Sequence, residues 1–383
     1  MKKIILIFLL FTTLIVSGCE KKEPVKLSNT FDNDIEVHKE LESYLLRQQN
    51  SYGEKTYVNI FEGKSSSEFL FCIGSYGEYR TVHSFYYDII TREIKEANHL
   101  SDLNYTITSY QVVDDSEYIA YIKTIVEHDE TDIIDSFPDE VGVDKFNNQE
   151  IEIELLNYKS ISHFDTIFFE KLDDSIYFIN HEYDDENVYE RVYELKNDKF
   201  IVRDEYVTTH EMFNVEAGIM TPHSLKAWKL IANNDSLFYS VIGENTEPKL
   251  VQVNNEKIEP EKLNNAINIL GFLGDNLLYV EQEKVDDEFI YTNKMMNMDT
   301  EETKKWNTNS VYQNKFTAIN DYQYIKLNEE TNKLEIFSYI DDQEQLVEHD
   351  LELLDELNCT DIFDMEEYVL ITGEFEEVLI IKK

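Results

Sequence analysis

The chain rewrites one short pattern along its length. Residues 173–178 read DDSIYF, and variants stand at 114–121 (DDSEYIAY), 234–239 (NDSLFY), 274–279 (GDNLLY) and 320–325 (NDYQYI). Each is a polar turn followed by an apolar, mostly aromatic run. With Ser67, Asp115, Asp174, Asp235, Asp275, Asp321 and Glu366 as markers, the steps are 48, 59, 61, 40, 46 and 45 residues. A unit of this size that recurs cannot bury its apolar faces alone and must stack on its neighbours.

Local patterning says what each unit is made of. Helical 3.6-residue periodicity is scarce, and the aromatic content of 13% with many Ile and Val favours strands. In 227–260, AWKLIAN, NDSLFYSVI, KLVQVN and KIEPE read as strands a, b, c and d, and the next two units repeat this order. Earlier units begin near Thr56, Thr106 and Thr166. Four strands per unit at this period predict an all-β fold, a β-propeller of four-stranded antiparallel sheets with seven blades, six or eight being the alternatives. WD dipeptides and kelch glycines are absent, so neither of those families is implied. The acidic turn falls in the a–b hairpin, where Asp and Asn tolerate left-handed backbone. The run after it is strand b, packed on both faces.

The last unit has three strands (TDIFD, EYVLITG, EVLIIKK) before the chain ends. A strand from the N-terminal side is expected to complete it and remove two open edges. The expected donor is 38–47, HKELESYLLR, for which a short helix is the rival because Leu41, Tyr44 and Leu45 have helical spacing.

Two connections exceed the rest: 126–148 in the second unit, between strands b and c, and 208–226 between the third and fourth units. Strands alternate in direction within a blade, so b–c and d–a connections share one face of the disc. The b–c connections are acidic, with Asp129, Asp132 and Asp135 in the first insert, Asp184 and Asp185 in the third unit, and Asp286 and Asp287 in the fifth. These seven residues are the candidate sites for a partner or a cation. The opposite face carries Lys196, Lys199, Lys257, Lys304 and Lys305.

No HExxH, CxxC, Walker, GxGxxG or GxSxG motif occurs, and no catalytic residue is assigned. The first insert lacks the spacing of a Ca²⁺ loop, which leaves weak Ca²⁺ binding by clustered carboxylates as the sole cofactor expectation. His210 and His223 share the second insert but are isolated. Cys72 and Cys359 fall in the first and last units, which a closed ring makes neighbours; buried free thiols are expected over a ring-locking disulfide.

The N-terminus sets the address. Lys2 and Lys3 precede an apolar run from Ile4 to Val16, too short to span a bilayer comfortably, which ends at Val16-Ser17-Gly18-Cys19. This arrangement resembles the lipobox of bacterial lipoproteins. The resemblance implies a signal peptide over 1–18, a diacylglyceryl-modified Cys19, a flexible tether over 19–37 and one propeller domain over 38–383. It also implies a protein lipid-anchored at the cell membrane and facing outside the cytoplasm. The residue usage is similar to that of low-GC Gram-positive proteins.

The formal net charge is −44, and without Lys2 and Lys3 it is −46, 32 basic against 78 acidic residues. Such a charge opposes nucleic acid and anionic headgroups and suits a basic protein partner or a cationic ligand. The chain thus resembles lipid-anchored extracytoplasmic propeller proteins. A binding protein that presents an acidic loop face is the expected function, and a cell-surface hydrolase or lyase of glycans or peptides is the alternative.

Overall fold

The computed structural model describes residues 35–52, 56–75, 80–123, 140–147, 150–159, 167–172, 174–183, 187–209, 213–214, 219–220, 226–233, 236–243, 246–254, 257–264, 266–285, 288–306, 316–328, 333–340, 343–347, 359–373 and 377–383. Strands dominate, and they form seven four-stranded antiparallel sheets, each ordered a-b-c-d, with one further two-stranded hairpin. We number the sheets as blades: blade 1 spans 56–96, blade 2 106–159, blade 3 170–209, blade 4 226–264, blade 5 266–305 and blade 6 316–346. Blade 7 takes Cys359–Asp364, Tyr368–Gly373 and Val378–Lys382 as strands a to c and Ile35–Val37 as strand d.

Seven apolar clusters sit between consecutive blades. The first joins blades 7 and 1 through Leu370, Ile380, Phe69 and Phe71, and so closes the ring. The others join 1–2, 2–3, 3–4, 4–5, 5–6 and 6–7 in turn. Each sheet packs between two neighbours, so strand b is covered on both sides. Phe69 to Ile73, Leu237 to Tyr239, Leu277 to Val280 and Val369 to Ile371 are all buried. The aromatic run that recurs in the sequence is this strand. The turn before it uses left-handed backbone where expected: Asp114 and Asp115 have φ of 49° and 63°, and Gly274 has φ of 53°. An L residue at Gly274 would also bring its Cβ within 3.0 Å of the Asp321 carbonyl oxygen.

Ring closure corrects the expected donor. The closing strand is Ile35–Val37, inside the stretch read as tether, paired Ile35 to Ile381 and Val37 to Leu379. Residues 39–47 fall instead in a helix, Lys39–Tyr52, which we call α1. Buried Leu41 and Leu45 pack α1 into the wedge between blades 7 and 1. Buried His38 precedes the helix, with Nδ1 at 2.5 Å from the Tyr87 hydroxyl and Nε2 at 2.8 Å from the Glu36 carboxylate. Three residues of edge strand carry no periodic signal, whereas Leu41, Tyr44 and Leu45 do.

The first insert is also shorter than expected. Strand c of blade 2 is Glu140–Asn147 and strand d is Glu150–Lys159, so the b–c connection is 124–139 rather than 126–148. Val141 and Val143 face blade 3 while Phe146 faces blade 1, and burial on both sides makes VGVDKF a core strand. The second insert contains a hairpin of Phe213–Asn214 with Ile219–Met220. Among the described residues, no helix is long and apolar enough to cross a membrane.

Candidate functional site

Strand b of blade 2, Ser116–Lys123, and strand c, Glu140–Asn147, form the stem from which the first insert leaves. Residue alternation assigns their faces. Ile119, Tyr121 and Phe146 join the cluster between blades 1 and 2, whereas Tyr118, Ala120, Val141 and Val143 join that between blades 2 and 3. The blade 1 side therefore also receives Glu117, Lys123, Gly142 and Asp144, and it is polar at both ends.

At the insert end, Lys123 Nζ lies 3.1 Å from the Glu140 carboxylate, which also accepts a hydrogen bond from the Asn157 amide. Below them the Tyr121 ring lies across Gly142, where any Cβ would meet the ring carbon Cζ at 2.2 Å. Only glycine permits this approach. Tyr105 stacks on Tyr121 at 4.2 Å between centroids. Asp144, at 4% exposure, is buried with them. Its Oδ1 and the Tyr105 hydroxyl are buried without a hydrogen-bond partner among the described residues. Burial, reinforced by the carboxylates of Glu154 and Glu140, pushes the Asp144 carboxyl up to about 6.

At the a–b end, buried Glu117 accepts hydrogen bonds from the Tyr86 hydroxyl at 2.8 Å and from His99 Nε2 at 2.8 Å, and Lys64 Nζ stands 3.6 Å away. Burial raises its affinity for a proton, but the bonds from His99 and Tyr86 outweigh that and hold the carboxyl at about 2. This carboxylate–imidazole pair can hold charge and orientation. It faces Tyr86, Tyr110 and Phe146, and among the described residues no serine, threonine or cysteine is bonded to it. It ties blade 1 to blade 2 at the end of strand b away from the insert.

Sequence reasoning missed Glu117, His99, Asp144 and Tyr105. One signal was present: Glu117 sits in a strand expected to be buried on both faces, and a buried carboxylate requires a partner. Its partner is 18 residues upstream, in the connection between blades 1 and 2.

The seven candidate aspartates, Asp129, Asp132, Asp135, Asp184, Asp185, Asp286 and Asp287, lie outside the described residues, as do Cys19, His210 and His223. Their flanks are described. Blade 3 strand b ends at Tyr183 and strand c starts at Asn187; in blade 5 the corresponding residues are Val285 and Glu288. All three acidic segments are thus b–c connections. Among the described residues no group of three or more His, Cys, Asp or Glu could hold a metal ion. Cys72 is a free, buried thiol, pushed up to about 12 by burial and in contact with Ser84 Oγ at 3.4 Å. The side chain of Cys359 lies outside the described residues.

No family model matches the chain, and no curated protein matches it. Solved structures that are similar include a virginiamycin B lyase from Staphylococcus aureus (9% identity, TM-score 0.45), over 86% of this chain and 100% of that one. The polysaccharide lyase Uly1 is similar at 7% identity and TM-score 0.47, over 94% and 93% of the two chains. TolB from Acinetobacter baumannii is similar at 10% identity and TM-score 0.36, over 95% and 86%.

Proposed function

We propose that this protein is a lipid-anchored binding protein outside the cytoplasm, held at the cell membrane through Cys19, whose b–c face captures a basic protein partner or a cationic ligand. One observation carries the reading: the acidic segments 124–139, 184–186 and 286–287 are all b–c connections of blades built in the same order. Antiparallel order sends every b–c connection to one side of a closed ring, so carboxylates distant in sequence share a face. Segment 124–139 holds six carboxylates and no Lys or Arg. The stem described above, with Lys123 on Glu140 and Tyr121 against Gly142, supports it on rigid strands. Binding loops on a fixed scaffold are the usual arrangement. Weak Ca²⁺ binding by the same carboxylates belongs to this reading.

The alternative, a hydrolase or lyase, would need an accessible acid–base pair. Among the described residues the Glu117–His99 pair is buried and occupied by Tyr86 and Lys64, and it lends that reading no support.

The test is capture from crosslinked membranes with the intact protein and with a variant carrying Asp129→Asn, Asp132→Asn and Asp135→Asn. The expected result is a salt-sensitive partner that the variant loses. A partner retained equally by both proteins, or none after crosslinking, would refute the reading. Mass spectrometry of the N-terminal peptide tests the anchor: a diacylglyceryl group on Cys19, absent in Cys19→Ser.

A further inference from the structure

The closing strand has a direction, and the direction fixes which face the N-terminus leaves. Ile35 pairs with Ile381, whose neighbour Lys382 pairs with Tyr368, the first residue of strand b. Tyr368 directly follows the a–b turn, so Ile35 lies at the a–b end of blade 7 and Val37 points toward the b–c end. A second contact agrees. The Glu36 carboxylate is 3.4 Å from Arg92, in the c–d turn of blade 1 on that same face.

We propose that the face carrying the a–b and c–d turns is the one that lies against the bilayer, and that the acidic b–c face looks away from it. The inference rests on the lipid-anchor reading. Residues 20–34, fifteen in all, separate Cys19 from Ile35. Fifteen residues reach at most about 50 Å when fully extended. Strands of eight to ten residues, as in blades 2 and 5, make the disc about 30 Å high at 3.3 Å per residue. With the b–c face against the membrane, the connection from Ile35 back to Cys19 would first have to cross that whole rim, more than half of its reach. With the turn face inward no such path is needed. A partner would then approach the acidic face from outside, without competition from the bilayer.

Energy transfer to a headgroup-labelled acceptor lipid tests the orientation. Donors are placed at Glu93→Cys and Glu367→Cys, exposed in turns of the inward face, and at Val285→Cys, exposed at the end of a b strand. All three are made in a Cys359→Ser background, where Cys72 is buried. Full-length lipidated protein in vesicles with anionic phospholipid is expected to give several-fold stronger transfer from Glu93→Cys and Glu367→Cys than from Val285→Cys. Equal transfer, or stronger transfer from Val285→Cys, overturns the inference. A second arm replaces residues 1–19 with a hexahistidine tag on nickel-chelating vesicles and reads the same ranking without native lipid. A protein that carries no lipid on Cys19 refutes the anchor reading, while the tagged arm still decides which face the tether leaves.

Discussion

Replacing Asp144 by Asn should stabilise the protein, and more so at alkaline than at acidic pH. The carboxyl is buried, its Oδ1 lacks a partner, and Glu154 and Glu140 add negative potential, with Lys123 held on Glu140 and the rings of Tyr105 and Tyr121 alongside. Its affinity for a proton rises from 3.8 to about 6 on folding. A folded-state value above the unfolded one means that the folded chain holds the proton more tightly. Stability from this residue is therefore full below pH 4, falls as pH rises from 4 to 6, and is constant above. Two decades at about 1.4 kcal/mol each make the penalty about 3 kcal/mol at pH 8, with about half of it present at pH 5. The substituted asparagine carries no such charge, though its amide introduces donors that also need partners. The measurable quantity is the change in the gap between Asp144→Asn and wild type: about 1.5 kcal/mol larger at pH 8 than at pH 5. Urea unfolding followed by tryptophan fluorescence reads it, and working at pH 5 and above avoids the isoelectric region near 4.4. A gap independent of pH, or one that widens on acidification, would refute the burial argument.

Glu117→Gln should behave in the opposite sense. The wild-type carboxyl is held at about 2, so its contribution is present above the ordinary carboxylate range and is lost as pH falls toward 2; at pH 7 the variant should lose about 3 kcal/mol in urea unfolding. Gly142→Ala places a methyl 2.2 Å from the Tyr121 ring and should cost about 1–3 kcal/mol, most of it recovered in Gly142→Ala/Tyr121→Ala, as a double-mutant cycle would record. Deleting Ile35–Val37 should expose the outer edge of Val378–Lys382 and cause aggregation on size-exclusion chromatography, whereas deleting residues 20–30 should not. Cys72 should resist alkylation in the native protein and react on unfolding, and native modification as fast as that of an exposed thiol would contradict its burial.

The sequence by itself determined the repeat, the four-strand unit and the side of the disc that bears the inserts. These are local matters. A left-handed turn at Asp114–Asp115 needs Asp, Asn or Gly, and a strand covered on both faces needs an unbroken apolar run such as Ile176 to Phe178. Both signals are written within a few residues and recur with every blade. Tertiary structure decided what depends on meetings across the ring. Strand Ile35–Val37 has meaning only beside Ile381 and Leu379, more than 340 residues away. VGVDKF could be read as part of a loop until blades 1 and 3 supplied a wall on each side. Glu117 gains its partners only where His99 and Tyr86 close on it, and Asp144 its cover only where Tyr105 and Tyr121 meet it. Patterning specifies which residues must be buried, but which groups share the burial, and so which protons are held and which end of the closing strand meets the tether, is set when the seventh blade meets the first.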